Sequence, residues 1–187
     1  MYAGIKWRSH FLVTLLLLAL CACATPPAPP VNLHLQLAPA DLGAVIALQQ
    51  HLKVQRNGRI DDLDAALEID DKALHLVGLA FGQRVLSLDY DGKNLTSWRH
   101  FMLPEQVRAE DVLQDIQLTL WPLDAINKAL PDGWTLQDQG LSRTLLFHDS
   151  VVCLITYSAM PRWSGVVQLE NLRYHYSLTI QSLANTP

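Results

Sequence analysis

Basic tracts, catalytic signature motifs and paired cysteines are all missing from this chain. It has no run of lysines or arginines and its formal net charge is −4. That balance excludes a nucleic-acid backbone as partner and electrostatic docking on anionic lipid. There is no Gly-x-Ser-x-Gly elbow, no His-Glu-x-x-His, no phosphate-binding glycine loop and no Cys-x-x-Cys pair. His34, His51, His75, His100, His148 and His175 are dispersed without metal-ligand spacing. His148-Asp149-Ser150 has the letters of a triad, but neighbours on a tight hairpin cannot take the mutual geometry of nucleophile, base and orienting acid. These absences point to a non-enzymatic chain with no metal or cofactor.

Only three cysteines are present, and two of them stand in "LLLLALCACATPPAPP". Lys6, Arg8 and His10 precede a run from Phe11 to Leu20 that is apolar except for Thr14. About ten apolar residues span only about 15 Å as a helix, roughly half the hydrocarbon thickness, so the run reads as a cleaved leader and not a spanning anchor. Cys23 follows Ala22, with Leu20 three positions back, and this Leu-Cys-Ala-Cys is similar to a bacterial lipobox. The expected organisation is a lipoprotein signal peptide over 1–22, a lipidated Cys23 with a Pro-rich tether over 23–30, and a single domain over 31–187. Ala24 stands where lipoproteins retained at the inner membrane carry Asp, which favours the periplasmic face of the outer membrane. Losing Lys6 and Arg8 with the leader moves the formal charge from −4 to −6. Cys153, the one thiol left, lies in "SVVCLITYS" and reads as a small buried hydrophobe.

Beyond the tether the pattern has mostly period two. "VNLHLQL" puts Val31, Leu33, Leu35 and Leu37 on one face and predicts a half-buried strand. "IALQQHLKVQ" and "IDDLDAALEI" predict a hairpin about Asn57-Gly58. "ALHLVGLAFG", "QRVLSLDY" and "NLTSWRHF" continue a meander through turns at Asp70-Asp71-Lys72 and Asp91-Gly92, with Gly78 and Gly82 as points of bending. After Pro104 the period changes. Ala109, Val112, Leu113, Ile116 and Leu120 fall at helical spacing, opposite Asp111, Gln114, Asp115 and Thr119. Pro122 interrupts, and Leu123, Ile126 and Leu130 predict a second short helix ending at Pro131-Asp132-Gly133. Strands resume with "WTLQ", "LSRTLLFH", "VVCLITYS", "VVQLENL" and "YHYSLTIQS".

The predicted fold is therefore mainly β (α+β): a curved antiparallel sheet or open β-barrel with a mid-chain two-helix lid. Two short helices cannot cover so many strands, so the sheet must curl on itself. Its interior is then either a cavity for a hydrophobic ligand or a filled core. For a cavity, the candidate lining is Leu113, Ile116, Leu120, Trp121, Ile126 and Tyr176, with Asp115 and Gln117 as polar groups for a headgroup. Phe101, Met102 and Leu103 in "HFMLP" are the candidate contact with membrane or cargo.

"DIQLTLWPLDAINKALPDGW", from Asp115 to Trp134, and "LENLRYHYSLTI", from Leu169 to Ile180, resemble a family of proteobacterial lipoproteins known as a domain of unknown function. Members of that family are encoded among genes for aryl-polyene or fatty-acid-like biosynthesis. In plan, the anchored sheet with its helical lid is also similar to LolB, the outer-membrane receptor for lipoproteins, and to its soluble carrier LolA. These resemblances imply an acyl, polyene or lipoprotein-lipid ligand, attachment to the outer membrane through Cys23, and a protein partner in the envelope or in a biosynthetic assembly. A docking lipoprotein with a filled core is the alternative, and a hydrolase or acyltransferase without a known motif is a third.

Overall fold

The computed structural model describes Leu33 and residues 35–184. The chain separates into two units, Met1–Val31 and Asn32–Pro187, and every described residue belongs to the second. The leader, Cys23 and the tether lie outside the described residues.

Ten antiparallel strands form one sheet: β1 (Ile46–Arg56), β2 (Arg59–Ile69), β3 (Leu74–Ala80), β4 (Gln83–Tyr90), β5 (Leu95–Arg99), β6 (Trp134–Asp138), β7 (Ser142–Phe147), β8 (Ser150–Tyr157), β9 (Gly165–Asn171) and β10 (Tyr176–Ala184). Their order is β5-β4-β3-β2-β1-β10-β9-β8-β7-β6. Two five-stranded meanders are thus joined where the first strand pairs with the last, from Leu48 opposite Ala184 to Arg56 opposite Tyr176. β5 and β6 form the edges. The chain crosses between them through α1 (Ala109–Leu120) and α2 (Leu123–Ala129). This is the curved open sheet with two helices that the periodicity predicts. No helix among the described residues is long and apolar enough to cross a membrane.

Turn chemistry sets the register. Asn57 and Gly58 both have positive φ, 50° and 76°, as a two-residue hairpin turn with the strands' twist requires. Asp70 accepts from the backbone N–H groups of Lys72 and Ala73, and Asp91 does the same for Lys93 and Asn94, at 2.7 to 2.8 Å in each pair. Opposite β4, the pairing of β3 shifts at Gly78/Leu79, where the missing side chain lets the strand bend.

One reading of the sequence is corrected. Leu33, Leu35 and Leu37 are buried, as their alternation implies, yet their segment pairs with no strand of the sheet. It runs extended beside α1 instead. The Leu33 N–H donates to Gln114 Oε1 at 3.2 Å, Gln117 Nε2 donates to the Leu37 carbonyl at 3.1 Å, and Trp121 Nε1 donates to the Ala38 carbonyl at 3.0 Å. A 3-10 turn at Pro39–Leu42 then leads to β1. This strap also explains why α1 has no wholly solvated face: Gln114 and Thr119, read as polar-side residues, are buried, and so is Gln117, read as a polar group for a headgroup. In the same way Tyr174 and His175 fall in the turn before β10, not within it.

The C-terminal end of α1 is anchored more firmly than its start. Arg143, buried on β7, donates to the carbonyls of Leu118, Thr119 and Trp121 at 2.7 to 3.3 Å and pairs with Asp138 at 3.0 Å. The Tyr157 hydroxyl donates to the Thr119 carbonyl at 2.8 Å, and burial pushes its pKa up to about 12. A guanidinium and a phenol thus satisfy carbonyls that a helix end leaves without partners. At the other end Arg108, the residue before α1, makes no side-chain cap.

Candidate functional site

Inner-face positions on the three central strands are covered unevenly. On β1, Ile46 and Leu48 are buried while Leu52, Val54 and Arg56 are only partly buried. β2 repeats this, with Ile69, Leu67 and Ala65 buried and Leu63 and Asp61 partly buried. On β10, Ser182 is buried and Ile180, Leu178 and Tyr176 are not fully covered. Register places these in rows: Leu63, Leu52 and Ile180 face across the strands, then Asp61, Val54 and Leu178, then Arg56 and Tyr176 at the rim. α1 contributes Val112 and Ile116, also half-buried, on either side of Asp115. The inner face is therefore less fully covered at the end where the β1–β2 and β9–β10 turns lie.

A shallow cleft of about 420 Å³ marks that mouth, lined by Gln55, Arg56, Glu170, Asn171, His175 and Tyr176 among others. Tyr176, one of its lining residues, donates through its hydroxyl to Asp115 Oδ2 at 2.5 Å and accepts from Asn171 Nδ2 at 3.3 Å. The Arg56 guanidinium stands 5.7 Å from the Tyr176 ring centroid. Burial of the Asp115 carboxyl pushes its pKa up to about 7, with the Tyr176 bond opposing and the Asp111 charge adding to the rise. Burial raises the Tyr176 phenol as well, helped by the Asp115 charge. An apolar groove ending in an acid poised near neutrality, a phenol, an amide and a guanidinium suits a molecule with a long apolar part and a small polar head.

Nucleophilic chemistry finds little support there. Cys153 is buried, and burial, with Asp115 and Glu170 nearby, pushes its thiol well up, away from the reactive thiolate. His51 and His75 point outward to Asp64 and Asp89 at 3.0 and 2.6 Å. No group of three or more potential metal ligands occurs among the described residues.

The candidate lining residues divide. Ile116 and Tyr176 meet the open groove. Leu113, Leu120, Trp121 and Ile126 are buried in the packed core. Leu103 packs on the core's edge, while Phe101 and Met102 are 87% and 55% exposed. Phe81, in the β3–β4 turn at the same end of the sheet, is 98% exposed. Leu52, Val54, Leu63, Leu178, Ile180 and Arg56 were not singled out as site residues from the sequence. Alternation shows which face they occupy but not which rows the lid leaves uncovered.

A family model described as a protein of unknown function, DUF3261, matches residues 47–184. No curated protein matches the sequence. Among solved structures, a LolA superfamily protein from Nitrosomonas europaea is similar at 9% identity and a TM-score of 0.38, over 84% of this chain and 96% of that one.

Proposed function

This chain belongs to the DUF3261 family, and we propose that it is a non-catalytic binding protein for an amphipathic, linear-chain lipid. The half-covered rows Leu63–Leu52–Ile180 and Val54–Leu178, open between the sheet and α1, carry this reading. The apolar chain lies along those rows against Val112 and Ile116, and the polar head meets Tyr176, Asn171 and Arg56. Each methylene removed from water contributes about 0.8 kcal/mol, so a long acyl or polyene chain is held without many polar contacts. Because Arg143, Tyr157 and Trp121 fix one end of α1, opening consists of movement of its first turns, with the Asp115–Tyr176 bond as the closing contact. Phe101 and Met102, with Leu103 behind them, form the contact with membrane or cargo. The chain works at the periplasmic face of the outer membrane, held there by lipid on Cys23.

Native mass spectrometry of the purified chain, from a host making aryl-polyene or fatty-acid-like products, tests the binding. A co-purifying lipid mass that Ile116→Gln or Leu178→Gln removes, with the unfolding midpoint retained, is the expected result. A bare chain that takes up no oleic acid refutes it. Palmitate labelling that Cys23→Ser abolishes tests the anchor. The exposed Phe81 and Phe101 favour a second reading, a docking lipoprotein, in which those tips bind an envelope or biosynthetic protein and the interior stays empty of ligand.

A further inference from the structure

The inner space beside α1 already holds a linear apolar chain, the protein's own. Leu33, Leu35 and Leu37 enter the same apolar cluster as Leu48 of β1 and Leu67 of β2, the buried positions that continue the open rows of the mouth inward. Gln114, beside Asp115 on α1, holds the strap at Leu33, and Gln117 and Trp121 hold it further along at Leu37 and Ala38. The strap thus enters at the level of the polar floor and runs along α1 towards its fixed end.

Its fit is imperfect. Thr119 Oγ1 on α1 is buried without a partner beside it. A strand of the sheet would share a full ladder of backbone bonds, whereas the described residues of this segment are met by the side chains of Gln114, Gln117 and Trp121. A ligand chain longer than the mouth meets the strap leucines in its path.

We propose that Leu33 and residues 35–38 belong to a releasable strap occupying the deeper half of the ligand groove, and that an incoming linear apolar chain displaces it. The inference rests on the lipid-binding reading above. On displacement, the amides of Gln114 and Gln117 lose their backbone partners and become available to polar atoms of the ligand, and the space of three leucine side chains passes to the acyl chain.

Hydrogen–deuterium exchange mass spectrometry on the full chain, with oleic acid as the probe and its retention counted in the same samples, decides the matter. The expected result is that oleate is retained and exchange rises across residues 33–38 while β1 and β10 keep their protection. Weakening the strap with Leu35→Ser tightens oleate binding by roughly tenfold, because more of the protein stands in the competent state. Retained oleate with unchanged strap protection, and equal affinity in Leu35→Ser, overturns the strap while leaving lipid binding in place. If neither protein retains oleate, both readings fail. If only Leu35→Ser retains it, the strap is the gate.

Discussion

Asp115→Asn should make the protein more stable at pH 8 than the wild type, and the reason can be followed from the carboxyl outward. In the native state Asp115 ionises near pH 7, against 3.8 for an ordinary aspartate, because its site is poorly solvated. Between about pH 4 and pH 7 the folded chain therefore keeps a proton that the unfolded chain has released, and stability falls with rising pH across that window. Three units at about 1.36 kcal/mol each set a ceiling of about 4 kcal/mol, and the carboxyl's remaining solvent contact brings the working figure to about 2 kcal/mol. Asparagine keeps an oxygen to accept from Tyr176 and has no charge to desolvate. Urea unfolding of both proteins at pH 4 and pH 8 gives the comparison: the advantage of the variant should grow by about 2 kcal/mol between the two. Tyr176→Phe should steepen the wild-type loss, since it removes the bond that favours the charged form. A stability difference between Asp115→Asn and wild type that stays flat from pH 4 to pH 8 would refute the reasoning.

Other substitutions separate the fixed and the working parts of the molecule. Arg143→Ala leaves three helix-end carbonyls and Asp138 without their buried partner and should cost about 3–5 kcal/mol in urea unfolding, although Asp138 retains Arg162 at 2.5 Å. Ile126→Ala opens a cavity in a fully buried place and should cost about 2–5 kcal/mol by the same assay. Phe101→Ser and Met102→Ser should change stability by less than about 0.5 kcal/mol, since both side chains are exposed, yet slow transfer of a fluorescent fatty acid to vesicles several-fold. Iodoacetamide should leave Cys153 unmodified in the native protein and label it on unfolding.

The sheet was legible because each strand carries its own period. In β2, Leu63, Ala65, Leu67 and Ile69 alternate with acids, and the neighbouring turns announce themselves as Asn57-Gly58 and Asp70. The helix break at Trp121-Pro122 was equally local. What the pattern could not convey was competition for partners. Leu33, Leu35 and Leu37 alternate as a strand does, but β1 already has β2 on one side and β10 on the other, so no central edge was left for them. The same competition reversed the reading of α1. Gln114 and Gln117 look like solvent-facing residues until a second chain segment lies against them, and then their amides hold its backbone. Asp115 is the intermediate case. Its place on the helix was legible, but its altered ionisation comes from burial, against the opposing bond from Tyr176, 61 residues further along the chain.

Whether the strap can yield to a ligand turns on how nearly its own terms cancel. Three buried leucines contribute about 2 kcal/mol each and three side-chain hydrogen bonds about 1 kcal/mol each, or about 9 kcal/mol in favour of docking. Ordering the backbone of residues 33–38 costs about 1.5 kcal/mol per residue, also about 9 kcal/mol. A segment so balanced leaves its place at little net cost. About eight methylenes in the deeper half, at about 0.8 kcal/mol each, match what the three leucines give up, and the methylenes along the outer rows add to the ligand's side. The sheet is in a different position, because removing any central strand breaks ladders on two sides. Ligand exchange should therefore proceed at the strap and the first turns of α1 while the ten strands stay paired, and exchange protection that rose or fell uniformly over strap and sheet would contradict that division.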